Sequence, residues 1–280
     1  MTALAALPTV SIVIPAFNEE STIRSCVTAA LTQTVPAHEI IVVDNLSTDR
    51  TVDIVTELQQ ANPDAPLRLL SQNVEQGLVP TRNLGLDSAV GDVIGRIDAD
   101  SVLEPTWVAE VQKAFVDPTV AATTGPVLYY DMPLRRFGLR ADDTLRRAML
   151  KLAREYSFVF GSNMALRATA WRAIRDDVCR DEEDLFHEDI DISVHLYDAG
   201  LRAVYVPTMV TGMSARRVDD SPRDYVSYVG RFDRTYTHHN VRNRALRAPA
   251  WVFLAVYPIA KGLRWGHQEL AARRARQTAS

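Results

Sequence analysis

Two periodicities of apolar residues alternate along the first 120 positions of the chain. Short β-branched runs occupy 10–14, 39–44 and 93–97, and a further apolar stretch occupies 67–71. Between these runs, apolar residues recur every three or four positions, which is the spacing of a helix that buries one face. Strands alternating with helices of about 10–15 residues predict βαβ units and a mostly parallel sheet covered on both faces. We therefore expect an α/β fold.

The helices of this half are placed by their apolar spacing and by residues suited to a helix end. Asn18 is a candidate N-cap for a helix over 19–32, because its side chain can accept a hydrogen bond from the first free amides. Further helices are expected directly after 47–49, near 81–89 and around 105–116.

The pattern loosens after residue 120. Residues 120–130 and 202–207 are predicted strands, and 186–200 is a predicted helix that Gly200 closes at its C-terminus. Residues 139–154 form a predicted helix with an apolar face and a basic face. The apolar face carries Leu145, Met149 and Leu152, and the basic face carries Arg146, Arg147, Lys151 and Arg154.

The distribution of charge suggests a division of the chain. The 280 residues have a net charge of −4, yet the segment from Arg231 onward holds ten Arg and Lys residues against two acids. No repeat or linker interrupts the chain before about residue 215. We predict one domain over 1–230 and a basic, apolar helical extension over 231–280. A basic tail on an acidic body favours an anionic partner such as lipid headgroups, or else a solvated helix. The small net charge does not indicate a nucleic-acid partner.

Cysteine use and hydropathy bear on the compartment. Cys26 and Cys179 are far apart and lack the spacing of a disulfide framework or a zinc site, which is typical of a reducing environment. The N-terminus lacks the features of a signal peptide, and no run reaches the roughly 18 apolar residues that span a bilayer. A cytoplasmic location is therefore expected, with peripheral contact to the inner face of the plasma membrane.

Polar side chains follow three of the predicted strands. The segments are PAFNEE after 10–14, DNLSTD after 39–43, and DADS after 93–97. Ligands of open α/β sheets bind at the carboxyl ends of the strands, so a site is expected there. In extended chain Asp98 and Asp100 point to the same side about 6–7 Å apart. That span suits one hard divalent cation with a nucleoside diphosphate; the alternative is a solvated turn.

Five segments, in order, resemble those of glycosyltransferase family 2, whose members are inverting enzymes of GT-A fold. The segments are VSIVIPAFNEESTI, EIIVVDNLSTDRT, GLVPTRNLGLDSAVGDVIGRIDADS, GSNMALRATAW and HEDIDISVHLYDAGLRAVYVP. The resemblance covers about residues 9–215. It implies an open, twisted, Rossmann-like sheet, with a nucleotide-sugar half at about 1–125 and an acceptor half at about 126–230.

The resemblance also implies roles for individual residues. The nucleotide pocket would be shaped by Pro15, Ala16, Phe17, Asn18 and Glu19. Contacts to the nucleoside and diphosphate would come from Asp44, Arg82 and Asp98, and the metal, Mn²⁺ or Mg²⁺, would bind Asp100 with Asp98 beside it. Asp189 matches the general base, with Glu188 as its neighbour, and 161–164 would line the sugar and acceptor pocket.

These roles fit an inverting transfer. A base must deprotonate the acceptor hydroxyl while it attacks the anomeric carbon opposite the diphosphate, and a metal must stabilise the charge on the leaving phosphate. The donor implied is a UDP- or GDP-linked sugar. The acceptor is a hydroxyl or phosphate on a saccharide or a lipid-linked molecule. The alternative for Glu188 and Asp189 is only a favourable position at a helix N-terminus.

The chain departs from the family at two places. Many relatives read VVDDGS where this chain has Asn45 and Leu46, which leaves the nucleotide base open. Many relatives also place a His after the last strand, where this chain reads MVTGMSARR. His238 or His239 could supply that ligand, but a pair of exposed histidines is the interpretation we favour.

Two segments fit an anionic membrane surface. One is the basic helix over 139–154, and the other is the apolar run 251–260, which is flanked by Arg242, Arg244, Arg247, Lys261 and Arg264. A lipid-linked acceptor would agree with such a surface. The alternative is that both helices pack on the body.

Two rival functions are open at this point. IDADSV also fits the nucleophile motif of haloacid-dehalogenase-like phosphohydrolases, with Asp98 as the nucleophile. Those enzymes place the motif after their first strand and need a lysine in the site, and the chain has only Lys113, Lys151 and Lys261. The second rival is a non-catalytic relative that binds a nucleotide sugar. The presence of Asp100 and Asp189 disfavours this rival, because a binding module needs no base.

Overall fold

The computed structural model describes residues 6–153 and 156–278. The strands are β1 (Val10–Ala16), β2 (Glu39–Asp44), β3 (Leu67–Ser71), β4 (Val93–Arg96), β5 (Val102–Leu103), β6 (Val120–Thr124), β7 (Val127–Tyr129), β8 (Met164–Arg167), β9 (Arg202–Tyr205) and β10 (Thr211–Met213). The α-helices are α1 (Ile23–Leu31), α2 (Thr51–Ala61), α3 (Leu78–Ser88), α4 (Trp107–Ala114), α5 (Arg135–Ala153), α6 (Ala168–Ile174), α7 (Glu188–Asp198), α8 (Pro222–His238) and α9 (Ala248–Thr278).

A seven-stranded sheet forms the centre, in the order β3-β2-β1-β4-β8-β6-β9. Only β8 is antiparallel to its neighbours, β4 and β6; the other pairs are parallel. Both faces are covered, which explains why β1 and β2 are buried along their whole length. Alternate residues of β1 enter two cores, with α1, α2 and α4 on one face and α3, α6 and α7 on the other. The predicted α/β fold with a mostly parallel sheet is confirmed.

The first helix begins later than predicted. α1 starts at Ile23 rather than at residue 19, and Asn18 has a left-handed backbone (φ 55°). Asn18 does not cap the helix; its Oδ1 accepts a hydrogen bond from the Thr48 backbone at 2.8 Å. The segment between β1 and α1 is therefore hydrogen-bonded to the loop after β2, at the carboxyl edge of the sheet.

The predicted strand over 120–130 is two strands in different sheets. The break falls at Gly125 and Pro126, where a Cβ on Gly125 would lie 2.0 Å from the Met209 carbonyl oxygen. β7 leaves the main sheet and pairs with β10, which also pairs with β5. β10 was not predicted. This small sheet lies next to the carboxyl edge and carries the chain into a 3-10 helix, Arg216–Asp219.

The faces predicted for the helix over 139–154 are confirmed only in part, because Met149 is buried and Arg147 and Lys151 are exposed as expected, but Arg146 and Leu152 do not follow the prediction. α5 buries Arg146, 8% exposed, together with Met149 and Ala153, whereas Leu152 is 40% exposed. Arg146 can be buried because its Nε lies 2.6 Å from Asp142 and its guanidinium lies over the Phe160 ring. Arg154, the last residue of the predicted basic face, is outside the described residues.

α9 is oriented with its apolar side outward. Tyr257 and Arg264 face the body, where Arg264 pairs with Asp131 at 2.6 Å and Asp219 at 2.8 Å, and Lys261 donates to the Asp220 carbonyl at 2.6 Å. Of the basic residues predicted to flank the apolar run, Lys261 and Arg264 therefore contact the body, and Arg247 pairs with Asp233 of α8. Across the described ranges, we find no helix with the length and apolar character needed to cross a membrane.

The predicted domain boundary at 230 falls inside α8, so the division of the chain there stays a prediction. The predicted end of α7 agrees with the structure. Gly200 has φ 69°, and the amide of Leu201 donates to the Leu196 carbonyl, which terminates the helix.

Candidate active site

A cleft of about 680 Å³ opens at the carboxyl ends of β1 and β4. Its walls come from the end of β1, the turn after β4, the loop before β8, the first turn of α7 and the 3-10 helix after β10. Both Asp100 and Asp189 line it. The other predicted residues that line it are Pro15, Ala16, Phe17, Glu19, Asp98, Gly161, Ser162 and Glu188.

Arg96 joins the two acidic motifs of the cleft. It ends β4, is 2% exposed, and its Nη2 lies 3.0 Å from Asp98 Oδ1 and 3.0 Å from Glu188 Oε1. Gly161 makes room for this guanidinium, because a Cβ there would lie 1.9 Å from Arg96 Nη1. The protein group opposite Asp98 is thus a buried arginine, which the sequence prediction missed. The signal was a charged residue within the apolar run VIGRI.

Arg216 is another cation of the cleft and was also missed. It begins the 3-10 helix, and its Nε lies 3.1 Å from Asp100 Oδ2 while its Nη1 lies 2.8 Å from Glu19 Oε2. Burial, reinforced by the charge of Asp98, raises the pKa of Asp100 to about 7. The carboxyl groups of Glu19, Asp98 and Asp100 therefore form a site in which negative charge is costly without a cation.

Asp189 and Glu188 begin α7 with pKa values shifted in opposite directions. Asp189 accepts backbone hydrogen bonds from Gly161 and Ile190, each at 2.8 Å. Burial and the neighbouring charge of Glu188 nevertheless raise the pKa of Asp189. Burial also acts to raise the pKa of Glu188, but Arg96 and Arg82 outweigh it and lower that pKa. When the pKa values of two neighbouring carboxyl groups are shifted apart in this way, one group stays charged and the other can exchange a proton near neutral pH.

Several predicted residues do not line the cleft in the described structure: Asn18, Asp44, Arg82, Asn163 and Met164. Arg82 is fully buried and donates to the Glu188 carbonyl at 3.2 Å, so it supports the start of α7 from behind. Asp44 is buried, accepts a hydrogen bond from the Ser47 amide, and has an Oδ1 without a hydrogen-bond partner among the described residues. Asn163 accepts from Trp107 Nε1 at 2.8 Å in the core.

The amide that replaces the usual second acid after β2 has a structural reason. Asn45 Nδ2 donates to the carbonyls of Gln72 and Glu75, and its Oδ1 accepts from the Gly77 amide at 2.7 Å. A carboxylate could accept but could not donate to these carbonyls. Asn45 therefore orders the loop from Gln72 to Gly77, part of which lines the cleft.

The histidines and lysines considered from sequence lie elsewhere. His239 contacts Asp191 at 2.8 Å and its side chain is only 10% exposed, so the prediction of an exposed pair is wrong for His239 and holds for His238. Neither histidine lines the cleft. Within the described ranges, no lysine lines it either, which removes the lysine that a phosphohydrolase would need.

The acidic wall fits a divalent cation. Mn²⁺ and Mg²⁺ prefer oxygen ligands, and the carboxylates of Asp98 and Asp100 face one cleft. Two arginines already balance these carboxylates, and the raised pKa of Asp100 indicates that its charge is incompletely compensated. Asp98 and Asp100 are thus the residues suited to hold such a metal.

The sequence is similar to those of known glycosyltransferases. The model of "Glycosyl transferase family 2" matches residues 11–179. Chondroitin synthase from Pasteurella multocida is 37% identical over 116 residues, which is 41% of this chain and 12% of the synthase. The glycosyltransferase AglE from Haloferax volcanii is 34% identical over 103 residues, covering 36% of this chain and 33% of AglE. These two matches therefore span a third or less of the length of each relative.

Solved structures share the fold. A mannosyltransferase from Pyrobaculum calidifontis, in complex with GDP-Man and Mn²⁺, superposes with a TM-score of 0.66 at 21% identity, covering 96% of this chain and 76% of the other. S. aureus TarS 1-349 in complex with UDP gives a TM-score of 0.55 at 17% identity over 89% and 70% of the two chains. The expected GT-A type of α/β fold is confirmed.

Proposed function

The chain belongs to glycosyltransferase family 2, and on that premise we propose that it transfers a sugar from a nucleoside-diphosphate sugar to an acceptor hydroxyl with inversion. The observation that carries the proposal is that Asp100 and Asp189 line one cleft. Arg96 links the segments of both acids through Asp98 and Glu188. One wall offers oxygen ligands beside a cation, and the other offers a carboxyl group with a raised pKa.

The donor is proposed to lie along the wall formed by β1 and the turn after β4. Phe17 is half exposed in the cleft and offers an aromatic face to the nucleoside, and Pro15, Ala16 and Glu19 shape the same wall. A metal held by Asp98 and Asp100 would supply Lewis-acid stabilisation of the leaving diphosphate. Arg216 would then exchange its pairing with Asp100 for the diphosphate, because a guanidinium pairs well with phosphate oxygens.

The acceptor is proposed to lie next to Asp189. Its carboxylate takes the proton of the acceptor hydroxyl as that oxygen bonds to the anomeric carbon, while the bond from that carbon to the diphosphate oxygen breaks. The backbone amides of Gly161 and Ile190 hold the carboxylate in place, and Arg96 keeps Glu188 ionised beside it. A base on the face opposite the leaving group gives inversion.

The test is the Asp189→Asn variant in a transfer assay with donor binding measured in parallel. We expect transfer to fall by at least about 10²-fold, since general-base catalysis contributes on that order, with donor affinity nearly unchanged. Asp184→Asn is the matched control, because Asp184 also lines the cleft but its exposed carboxylate pairs with Arg231. Equal turnover in wild type and Asp189→Asn would refute the base assignment.

The nucleotide is best identified by direct binding. Solved structures of the same fold bind GDP-Man or UDP-GlcNAc, so UDP and GDP are the first candidates. A nucleotide present at 100 times its dissociation constant raises stability by about 2.7 kcal/mol if it binds only the folded state. A thermal-shift series with each diphosphate, with and without Mn²⁺ or Mg²⁺, should show one preferred pair. A shift unaltered by Asp100→Asn would contradict the metal assignment.

The acceptor is proposed to be lipid-linked, because α9 presents an apolar face to solvent. Side chains between 43% and 71% exposed recur along it: Trp251, Val252, Val256, Ile259, Leu263, Trp265 and Leu270. The opposite face carries Tyr257 and Arg264 against the body. An outward apolar stripe with tryptophans is typical of a helix that lies in a membrane interface. Two further exposed apolar side chains, Leu134 and Phe137, lie at the start of α5 beside Arg135 and Arg136.

Co-sedimentation with anionic vesicles tests this surface. Wild type is expected to sediment with vesicles and its tryptophan emission to shift to the blue. Ile259→Glu, which places a charge in the stripe, should weaken binding severalfold, while Gln268→Glu, at an exposed position outside the stripe, should not. If wild type fails to bind, or both variants bind like wild type, the membrane proposal is refuted.

A further inference from the structure

A second group of metal-binding side chains lies outside the cleft. Cys179, Asp191, His195 and His239, here called the Cys179 cluster, each offer one ligand atom, and these atoms all lie within 4.8 Å of one another. Cys179 follows α6, Asp191 and His195 belong to α7, and His239 follows α8. None of the four lines the cleft.

The geometry of the cluster converges on one carboxylate oxygen. Asp191 and His195 lie one turn apart on α7 and therefore on the same helix face. His239 Nε2 lies 2.8 Å and His195 Nε2 lies 3.4 Å from Asp191 Oδ1, while the Cys179 amide donates to Asp191 Oδ2 at 3.0 Å. His195 Nε2 is buried without a hydrogen-bond partner of normal geometry among the described residues. Two imidazole nitrogens, a thiol sulfur and a carboxylate oxygen from three separate segments therefore converge on one point.

We propose that the Cys179 cluster binds a Zn²⁺ ion through Cys179 Sγ, Asp191, His195 Nε2 and His239 Nε2. Sulfur, imidazole nitrogen and carboxylate oxygen are the ligands of tetrahedral zinc, at about 2.0–2.3 Å from the ion. Ligand atoms in such a centre are therefore roughly 3–4 Å apart, so small side-chain shifts would complete it. The thiolate and two imidazoles favour zinc over Mg²⁺ and Mn²⁺. The spacing of cysteines in sequence predicted no zinc site, because three separate segments supply these ligands.

Such an ion would position the candidate base. Asp191 stands two residues after Asp189 on α7, and His187, at the N-cap of the same helix, donates its backbone amide to Thr235 of α8. A metal bonded to α7 and to the residue that follows α8 would fix the first turn of α7 against α8. The four residues of the Cys179 cluster would thus position Asp189 without contacting the substrate. This positioning role rests on the proposed function, because it requires Asp189 to be the base, whereas zinc binding itself does not.

Metal content measures the proposal directly. The protein, stripped with a chelator, reloaded with Zn²⁺ and desalted, is expected to retain about one zinc per chain by elemental analysis. Cys179→Ser and His239→Ala should each lose most of it and show a lower Tm that zinc does not restore. His38→Ala is the control, since His38 is exposed ahead of β2. Less than about 0.1 zinc per wild-type chain would overturn the proposal, as would zinc retained in Cys179→Ser.

Cobalt substitution keeps the test decisive if a variant fails to fold. Wild type loaded with Co²⁺ is expected to show a near-ultraviolet charge-transfer band from a thiolate ligand. Asp100→Asn should keep this band, because Asp98 and Asp100 offer only oxygen ligands and no cysteine of the described residues lines the cleft, so loss of the cleft metal and loss of the zinc site are distinguishable. A wild-type Co²⁺ spectrum without the thiolate band would refute Cys179 as a ligand.

Discussion

Arg96 ends β4 with its guanidinium between Asp98 and Glu188, which lie in separate motifs of the chain. A buried charge is tolerated only when it is paired, and here one cation serves two carboxylates. The consequence is that the two acidic motifs are held in a fixed relation before any ligand binds. Preorganisation of this kind lets a site stabilise a transition state without rearranging.

Replacing this arginine should be costly. Arg96→Met leaves the buried Glu188 and the half-buried Asp98 without their shared partner, and breaking a buried ion pair costs about 3–5 kcal/mol. We expect that loss in the free energy of unfolding, measured by denaturant titration. Arg24→Met, which removes an exposed pairing with Glu57, is the control and should cost less than about 1 kcal/mol. Equal losses in the two variants would contradict the role of Arg96.

The raised pKa of Asp189 predicts how activity depends on pH. The base must be ionised to accept a proton, so kcat/KM should fall as the pH drops through its pKa. The midpoint of this acidic limb should therefore lie above the ordinary aspartate value of about 3.9. Glu188→Gln removes the neighbouring negative charge and should move the limb to lower pH. A limb with its midpoint near 4 in wild type would contradict the assignment.

At the scale of elements, the cleft is built where loops meet beyond the strand ends. Asn45, directly after β2, holds the loop from Gln72 to Gly77 with three hydrogen bonds, and Arg216, in the 3-10 helix after β10, reaches the acids that follow β1 and β4. The strand ends determine where these loops begin, and the hydrogen bonds and ion pairs of Asn45 and Arg216 determine the conformation of the loops.

The loop after β3 offers a test at this scale. Asn45→Asp keeps the size of the side chain but removes its two donated hydrogen bonds and faces the carbonyls of Gln72 and Glu75 with a negative charge. We expect a loss of about 1–3 kcal/mol in stability and weaker nucleotide binding. Calorimetric binding of the preferred diphosphate measures the second effect, with Asn62→Asp, outside the cleft at the end of α2, as control. Unchanged binding in Asn45→Asp would show that this loop does not contact the nucleotide.

At the scale of the whole molecule, the sequence predicted what depends on local pattern. The alternation of strands and helices, the end of α7 at Gly200, and the acids that line the cleft all follow from short segments. Arg216 was missed because its partner Glu19 is 197 residues away in the chain. The buried face of α5 was predicted only in part: Met149 lies on it as expected, but the Phe160 ring that covers the buried Arg146 comes from another segment of the chain. Pairings between distant segments need the three-dimensional structure.

The outward direction of the apolar face of α9 also depends on contacts between distant segments. The apolar run around Trp251 was noticed in sequence, but its direction depends on Asp131 and Asp219, which hold Arg264 against the body. An anchor on one side of the helix therefore determines what the other side presents to solvent.

The stereochemistry of transfer tests the central claim most directly. If Asp189 activates the acceptor opposite the leaving diphosphate, an α-linked donor must give a β-linked product in one displacement. With water as the acceptor, proton NMR of the freshly released sugar should show the β anomer first, before mutarotation. Release of the α anomer first would contradict a single displacement and with it the roles of Asp100 and Asp189 across one cleft.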